Sequence, residues 1–222
     1  LIGQNPEVAW DGHEALVTFD TPGQGVHLAA LTNDGSISWM EALPGTGAHL
    51  AWNARTQTGL VVTSETIAWL GRDGKPVHRT AAPHVTNVSF VGTPLPTQHG
   101  FVIGTGVSSH TSNSKPMPFS VATVGAPTDA IAWKRVGDDV LRRAPIGGPP
   151  DAAAWLVSQP QKAAAQLFSV SPEGELGAPV TLPNAPDLRA TGVTVDRDVP
   201  LVLFADDATY ELSLLAVHGA SA

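Results

Sequence analysis

Residues 6–39 read PEVAWDGHEALVTFDTPGQGVHLAALTNDGSISW. Short apolar runs are cut by turn residues, and the last turn, Asn33-Asp34-Gly35, has the chemistry of a tight hairpin, because Asp-Gly accepts the positive φ angles that a two-residue connection needs. Whether this module stands alone or is one of several copies decides the fold. Runs like ALVTF at 15–19 recur as LVVTS at 60–64, FVIGT at 101–105, AAWLV at 153–157 and PLVLF at 200–204. Their centres, residues 17, 62, 103, 155 and 202, are spaced by 41 to 52 residues. A second series trails the first: HLAAL at 27–31, TIAWL at 66–70, FSVAT at 119–123, LFSVS at 167–171 and ELSLL at 211–215. Turn signals follow it at Asn33-Asp34-Gly35, Arg72-Asp73-Gly74, Gly125-Ala126-Pro127 and Pro172-Glu173-Gly174.

A third run follows these turns (ISWME, PVHRT, AIAWK, APVTL), and a fourth precedes the first series (EVAW, HLAW, NVSF, VLRRA at 140–144, ATGVTV). The opening stretch is therefore one of five copies. Each holds four short strands over roughly 45 residues, the period and strand count of a β-propeller blade. The sequence predicts a single all-β domain over 1–222, a propeller of about five four-stranded antiparallel blades with approximate repeats 4–43, 44–82, 83–137, 138–183 and 184–222. The fifth copy lacks its last strand. Leu1-Ile2-Gly3 would complete that blade, removing an exposed edge; otherwise another chain completes a larger propeller.

Composition agrees. The 222 residues include 22 Gly and 19 Pro, too many breakers for a helical protein, and only 14% are charged. The net charge is -8 and the lysines are few, so nucleic acid and anionic membrane are poor partners, since both require a basic footprint. No apolar run is long enough for a membrane-spanning helix. The chain starts at Leu1 without a signal peptide, which reads as a product trimmed or processed from a longer precursor. Cysteine is absent, which removes disulfide and thiolate chemistry and suits a secreted, periplasmic or cell-surface bacterial protein.

Residues 6–17, PEVAWDGHEALV, resemble a repeat of secreted bacterial propellers of the form P-x-x-A-W-D-G-x-x-Y-L-V-V-W followed by a hairpin ending in D-G. Ala15 and Phe19 stand where that repeat has aromatics, and Ala51-Trp52-Asn53 keeps part of it in the second copy. The resemblance implies a propeller fold and an extracytoplasmic habitat, and it brings no catalytic residue. The unit size is less closely similar to that of five-bladed lectins that bind amino sugars between near-identical blades; the copies here differ too much for equivalent sites.

Catalytic signatures are missing: there is no GxSxG elbow, HExxH, P-loop or EF-hand loop. The eight histidines are scattered singly, so no metal site and no cofactor is expected, although His99 and His110 flank one region where they could converge. A glycoside hydrolase would need acids projecting from inner strands into a central funnel. The inner strands offer Glu7 and Asp11 in the first copy, with Asp138 and Asp139 before the fourth and Asp206-Asp207 at a later turn. Asp11 reads as a turn stabiliser. The tryptophans read as packing between blades.

Two features point to binding. The connection at 106–118 is long, polar and ends in a rigid Pro-x-Pro. It offers Ser108, Ser109, His110, Ser112 and Asn113 as donors and acceptors, Lys115 as a cation and Met117 as an adaptable apolar contact. Arg142 and Arg143, on the fourth copy's inner strand, would anchor an acidic group or pair with Asp138 or Asp139. Connections between second and third strands should emerge on the same rim as those between consecutive copies, which gathers these residues at one end. The sequence therefore reads as a non-catalytic binding or scaffold module for a protein partner or another chain of the same precursor. A carbohydrate-binding lectin, with a glycan partner, or a five-bladed glycoside hydrolase is the alternative.

Overall fold

The computed structural model describes residues 3–83, 88–90, 93–107, 119–128, 130–137, 146–147, 154–158, 164–171, 175, 177–182, 188–196, 199–206, 209 and 211–218. Every regular element among them is a β-strand. The first sheet holds β1 (Gln4–Trp10), β2 (Ala15–Thr21), β3 (Gly25–Leu31) and β4 (Ile37–Leu43), hydrogen-bonded in that order. The second repeats the plan with β5 (His49–Asn53), β6 (Thr58–Val62), β7 (Thr66–Leu70) and β8 (Pro76–Ala81). In the third, β9 (Val88–Phe90) and β10 (Leu95–Thr97) both pair with β11 (Gly100–Val107), which continues to β12 (Phe119–Val124) and β13 (Lys134–Gly137). The fourth comprises β14 (Ile146–Gly147), β15 (Ala154–Ser158), β16 (Gln166–Val170) and β17 (Val180–Thr181). The fifth has three strands, β18 (Leu188–Asp196), β19 (Val199–Asp206) and β20 (Leu212–Ala216). All pairings are antiparallel between chain neighbours, apart from β9, which reaches past β10 to β11.

The predicted hairpins form where Asp-Gly allows them. Gly35 and Gly74 take φ of 82° and 72°, in the left-handed region that an L side chain resists. In the first, the Asp34 carboxylate accepts from Thr32 Oγ1 at 2.5 Å and from Ser36 N at 3.0 Å. Those bonds, the Thr32 hydroxyl foremost, hold the Asp34 carboxyl at about 2.

One inner strand departs from the sequence reading. The third sheet's inner strand is split, because Pro94 and Pro96 remove ladder donors. The fourth sheet's described inner strand is Ile146–Gly147, with Ile146 opposite Leu156; the VLRRA run at 140–144 lies outside the described residues. Leu1 and Ile2 lie outside the described residues.

The sheets stack face to face. Leu16, Val26, Leu28 and Ala30 of the first pack on Leu50, Val61, Ala68 and Leu70 of the second. The opposite face of the second, with Leu60, Val62, Ile67 and Trp69, packs on Phe101, Ile103, Ala122 and Val124 of the third. A separate core joins the fourth and fifth through Leu167, Leu182, Val202 and Phe204. Covered on both faces, β7 is buried throughout, whereas in β20 only Leu215 turns inward. The first strands of neighbouring sheets touch, β1 against β5, β5 against β10 and β14 against β18, as inner strands of a radial array do. The tryptophans follow this packing in part. Trp69 is buried, and Trp39, Trp52 and Trp133 lie against the cores. Trp10 does not: it is 54% exposed, on the face of β1 that no other described sheet covers.

Truncating Leu60 to Ala in this 222-residue chain should cost about 2–5 kcal/mol, because its side chain is fully buried between sheets. The same change at Leu214, 62% exposed, should cost less than about 0.5 kcal/mol. Urea unfolding midpoints of the two variants, compared at unchanged slope, test this contrast.

Candidate functional site

The second strands β2 and β6 end on one rim, and hydrogen bonds show what meets there. Thr63 Oγ1 donates to Pro44 O at 2.6 Å, Ser64 N donates to Thr46 O at 3.0 Å, and Gly47 N donates to Asp20 Oδ1 at 3.1 Å. Ala82 N donates to Glu65 O at 2.9 Å. The connections after second strands and those between consecutive sheets therefore share this rim, as the alternation of hairpins requires. The chain leaves β11 at Val107 on the same rim and returns at Phe119. Ser108, Ser109, His110, Ser112, Asn113, Lys115 and Met117 lie between these points, outside the described residues, as do Arg142 and Arg143.

The opposite rim is built from a repeated turn. Asp11, buried at the end of β1, accepts from His13 N at 2.6 Å and Glu14 N at 2.7 Å through one oxygen. Asn53, at the equivalent end of β5, accepts from Arg55 N at 3.1 Å and Thr56 N at 3.3 Å. The amide also adds what a carboxylate lacks: Nδ2 donates to Thr97 O at 2.8 Å and Gly100 O at 2.9 Å in the third sheet. The residue after Trp10 and Trp52 thus closes its own turn and, in the second copy, fastens the next sheet. His99 sits in this Thr97–Gly100 turn, at the far end of β11 from Val107. Eight strand residues separate the two ends by about 25 Å, so His99 is remote from the point where the 108–118 segment leaves the sheet.

Near the array's centre, Glu7 of β1 joins three sheets. Its Oε1 lies 2.6 Å from His49 Nδ1, and its Oε2 accepts from Leu50 N at 2.8 Å and from Thr93 Oγ1 at 3.4 Å. Burial pushes the carboxyl up. The bonds from His49 and Leu50, with the charge of the imidazole and the weaker bond from Thr93, outweigh that and leave it below its ordinary value of 4.5. The sequence singled out Glu7 as a possible catalytic acid; its partners make it a tie between inner strands. Asp11 is likewise committed to its turn, and Asp206 accepts from Thr209 N at 3.0 Å in another. Among the described residues no group of three or more His, Asp or Glu side chains is placed to hold a metal ion. What sequence reasoning missed is the reach of Glu7 and Asn53 across sheets; the recurrence of Trp-Asp and Trp-Asn was its only trace.

No protein-family model and no curated protein sequence matches the chain. Solved structures do. A luciferin-regenerating enzyme matches with a TM-score of 0.56 at 12% identity, over 97% of this chain and 76% of its own. The propeller of Dos1 matches with 0.59 at 11%, over 95% and 57%. The dihydro-heme d1 dehydrogenase NirN, in complex with DHE, matches with 0.55 at 16%, over 97% and 44%. At these identities the likeness shows the fold alone, and that fold is propeller-like. The chain spans about three quarters of the first structure and less than two thirds of the other two.

Replacing Asn53 by Ala should cost about 2–3 kcal/mol, because the carbonyls of Thr97 and Gly100 would keep no amide partner in a buried turn; thermal unfolding of the variant checks it. For Glu7, the folded state favours the ionised carboxylate. Its contribution is present above pH 4.5 and is lost as pH falls through the lowered folded value. Glu7→Gln should therefore be less stable at neutral pH and lose less further stability on acidification below about pH 4.5 than the parent does. Parallel acid-range denaturation curves would show it; identical curves would mean that Glu7 is not a tie.

Proposed function

We propose that the chain is a non-catalytic binding or scaffold module, contributing about five four-stranded units to a propeller within a secreted or surface-exposed bacterial protein, that engages a protein partner through the rim carrying residues 106–118. The observation that carries this reading is the engagement of the inner-strand acids. Glu7 ties β1 to β5 and to Thr93, and Asp11 closes a turn, so neither is poised as general acid or nucleophile. The absence of cysteine, the scarcity of lysine and the likeness of residues 6–17 to secreted bacterial repeats support the habitat.

The rim suits recognition for a mechanical reason. Its connections are tied across sheets by Thr63, Ser64 and Gly47, so a loop standing on it rises from a rigid base. Ser108, Ser109, His110, Asn113 and Lys115 supply polar contacts in this reading, Met117 an apolar one, and Arg142 or Arg143 an anchor for an acidic group.

Shortening 108–118 to a Gly-Ser turn should leave the melting temperature unchanged and weaken binding at least tenfold, or about 1.4 kcal/mol. The measurement is calorimetry with the partner recovered from the source's extracellular fraction on the immobilised module. Undiminished affinity would place the site elsewhere. A glycan array and a glycosidase screen on the same protein separate the sugar reading: turnover abolished by Asp138→Asn or Asp139→Asn would replace the proposal with a hydrolase.

A further inference from the structure

Sheets are stabilised here where a neighbour covers an apolar face, and the outer faces of the first and fifth sheets have no described neighbour. On the first sheet, Val8 and Trp10 share the face of β1 turned away from the second sheet and are 66% and 54% exposed. The register continues this face through Val17 and Ala15, opposite Val8 and Trp10, and through Ala29 to Met40, which is also exposed. On the fifth sheet, Leu212 and Leu214 are 68% and 62% exposed and lie opposite Ala205 and Leu203. The residue types match those of the three filled interfaces. Scattered apolar residues on a surface need no explanation, but a contiguous apolar sheet face marks an interface. Among the described residues no strand pairs with the outer edge of β20, where the first four sheets carry a further strand.

We propose that at least one further antiparallel sheet, carried outside these 222 residues, packs between the free faces of the first and fifth sheets and supplies the strand beside β20. This rests on the propeller reading. The two faces do not cover each other, since Val8, Trp10, Leu212 and Leu214 are all more than half exposed. A second copy fits poorly. Joining the first face of one chain to the fifth face of another is a head-to-tail contact, which propagates into rings or filaments and brings chains of net charge -8 together. A further sheet keeps the contact within one ring. The similar solved structures accommodate it: a luciferin-regenerating enzyme holds about a quarter of its length beyond the part that matches this chain, and the Dos1 propeller more.

The chain has no cysteine, so single thiols report without background. Val8→Cys and Leu214→Cys would be made together in the 222-residue chain and in the protein as its source cell produces it. Iodoacetamide labelling and mild oxidation are then followed by mass. The short chain should alkylate fast at both positions and form no disulfide, and in the source-length protein both rates should fall at least about tenfold, as buried interface thiols do. An intramolecular disulfide would mean that the faces close on each other. Disulfide-linked oligomers would mean that a second copy covers them. Fast labelling at either position in the source-length protein would mean that nothing does. Any of these overturns the proposal. Ala68→Cys, at the filled interface between the first two sheets, should stay protected throughout; if it labels fast, the propeller packing itself is wrong.

Discussion

A four-stranded sheet of short strands has two faces and too little area to hide either on its own. The whole molecule follows from that constraint. Stacking lets one sheet's alternate residues bury against the next, as Leu28 and Val26 do on Leu50 and Val61. Each filled interface removes water from aliphatic side chains, at about 25 cal/mol for every Å² covered, and the gain is available only to neighbours in the array. The second sheet, flanked on both sides, is therefore deeply buried, and β7 has no exposed residue.

Apolar packing does not by itself set how sheets are placed around an axis. That task falls to polar groups at fixed positions on the inner strands. Glu7 reaches from β1 to the His49 ring, the Leu50 amide and the Thr93 hydroxyl, bringing three sheets to one carboxylate. Asn53 uses both ends of its amide, one for its own turn and one for the turn at Thr97–Gly100. Such bonds are directional, so they define an angle where dispersion contacts would tolerate a range. At the outer edge, the Arg79–Glu41 pair spans the first and second sheets, and Lys134 meets Glu175 at 2.5 Å between the third and fourth. Both pairs are substantially exposed and add little.

The division of labour between the two rims has the same origin. One rim carries the Asx turns at Asp11 and Asn53, whose side chains are consumed in closing and fastening the array. The other carries the connections around Asp20, Thr46, Gly47 and Ser64, tied by backbone groups together with the side chains of Asp20, Thr63 and Ser64, and here the chain departs for residues 108–118.

The sequence by itself determined the strands and their grouping. All five second-strand runs and all five third-strand runs became strands of the five sheets, because alternation and Asp-Gly turns are local properties read within a few residues. The turn role of Asp11 was legible for the same reason. Tertiary structure alone decided three other matters. It made Trp10 exposed and Trp69 buried, although both sit on strands in similar company, because burial depends on whether another sheet lies above the face. It turned Glu7 from a candidate acid into a tie, since His49 and Thr93 are distant in sequence and meet it only across sheets. It also divided the third inner strand into β9 and β10, because both pair with β11, a contact between segments that no single run can disclose.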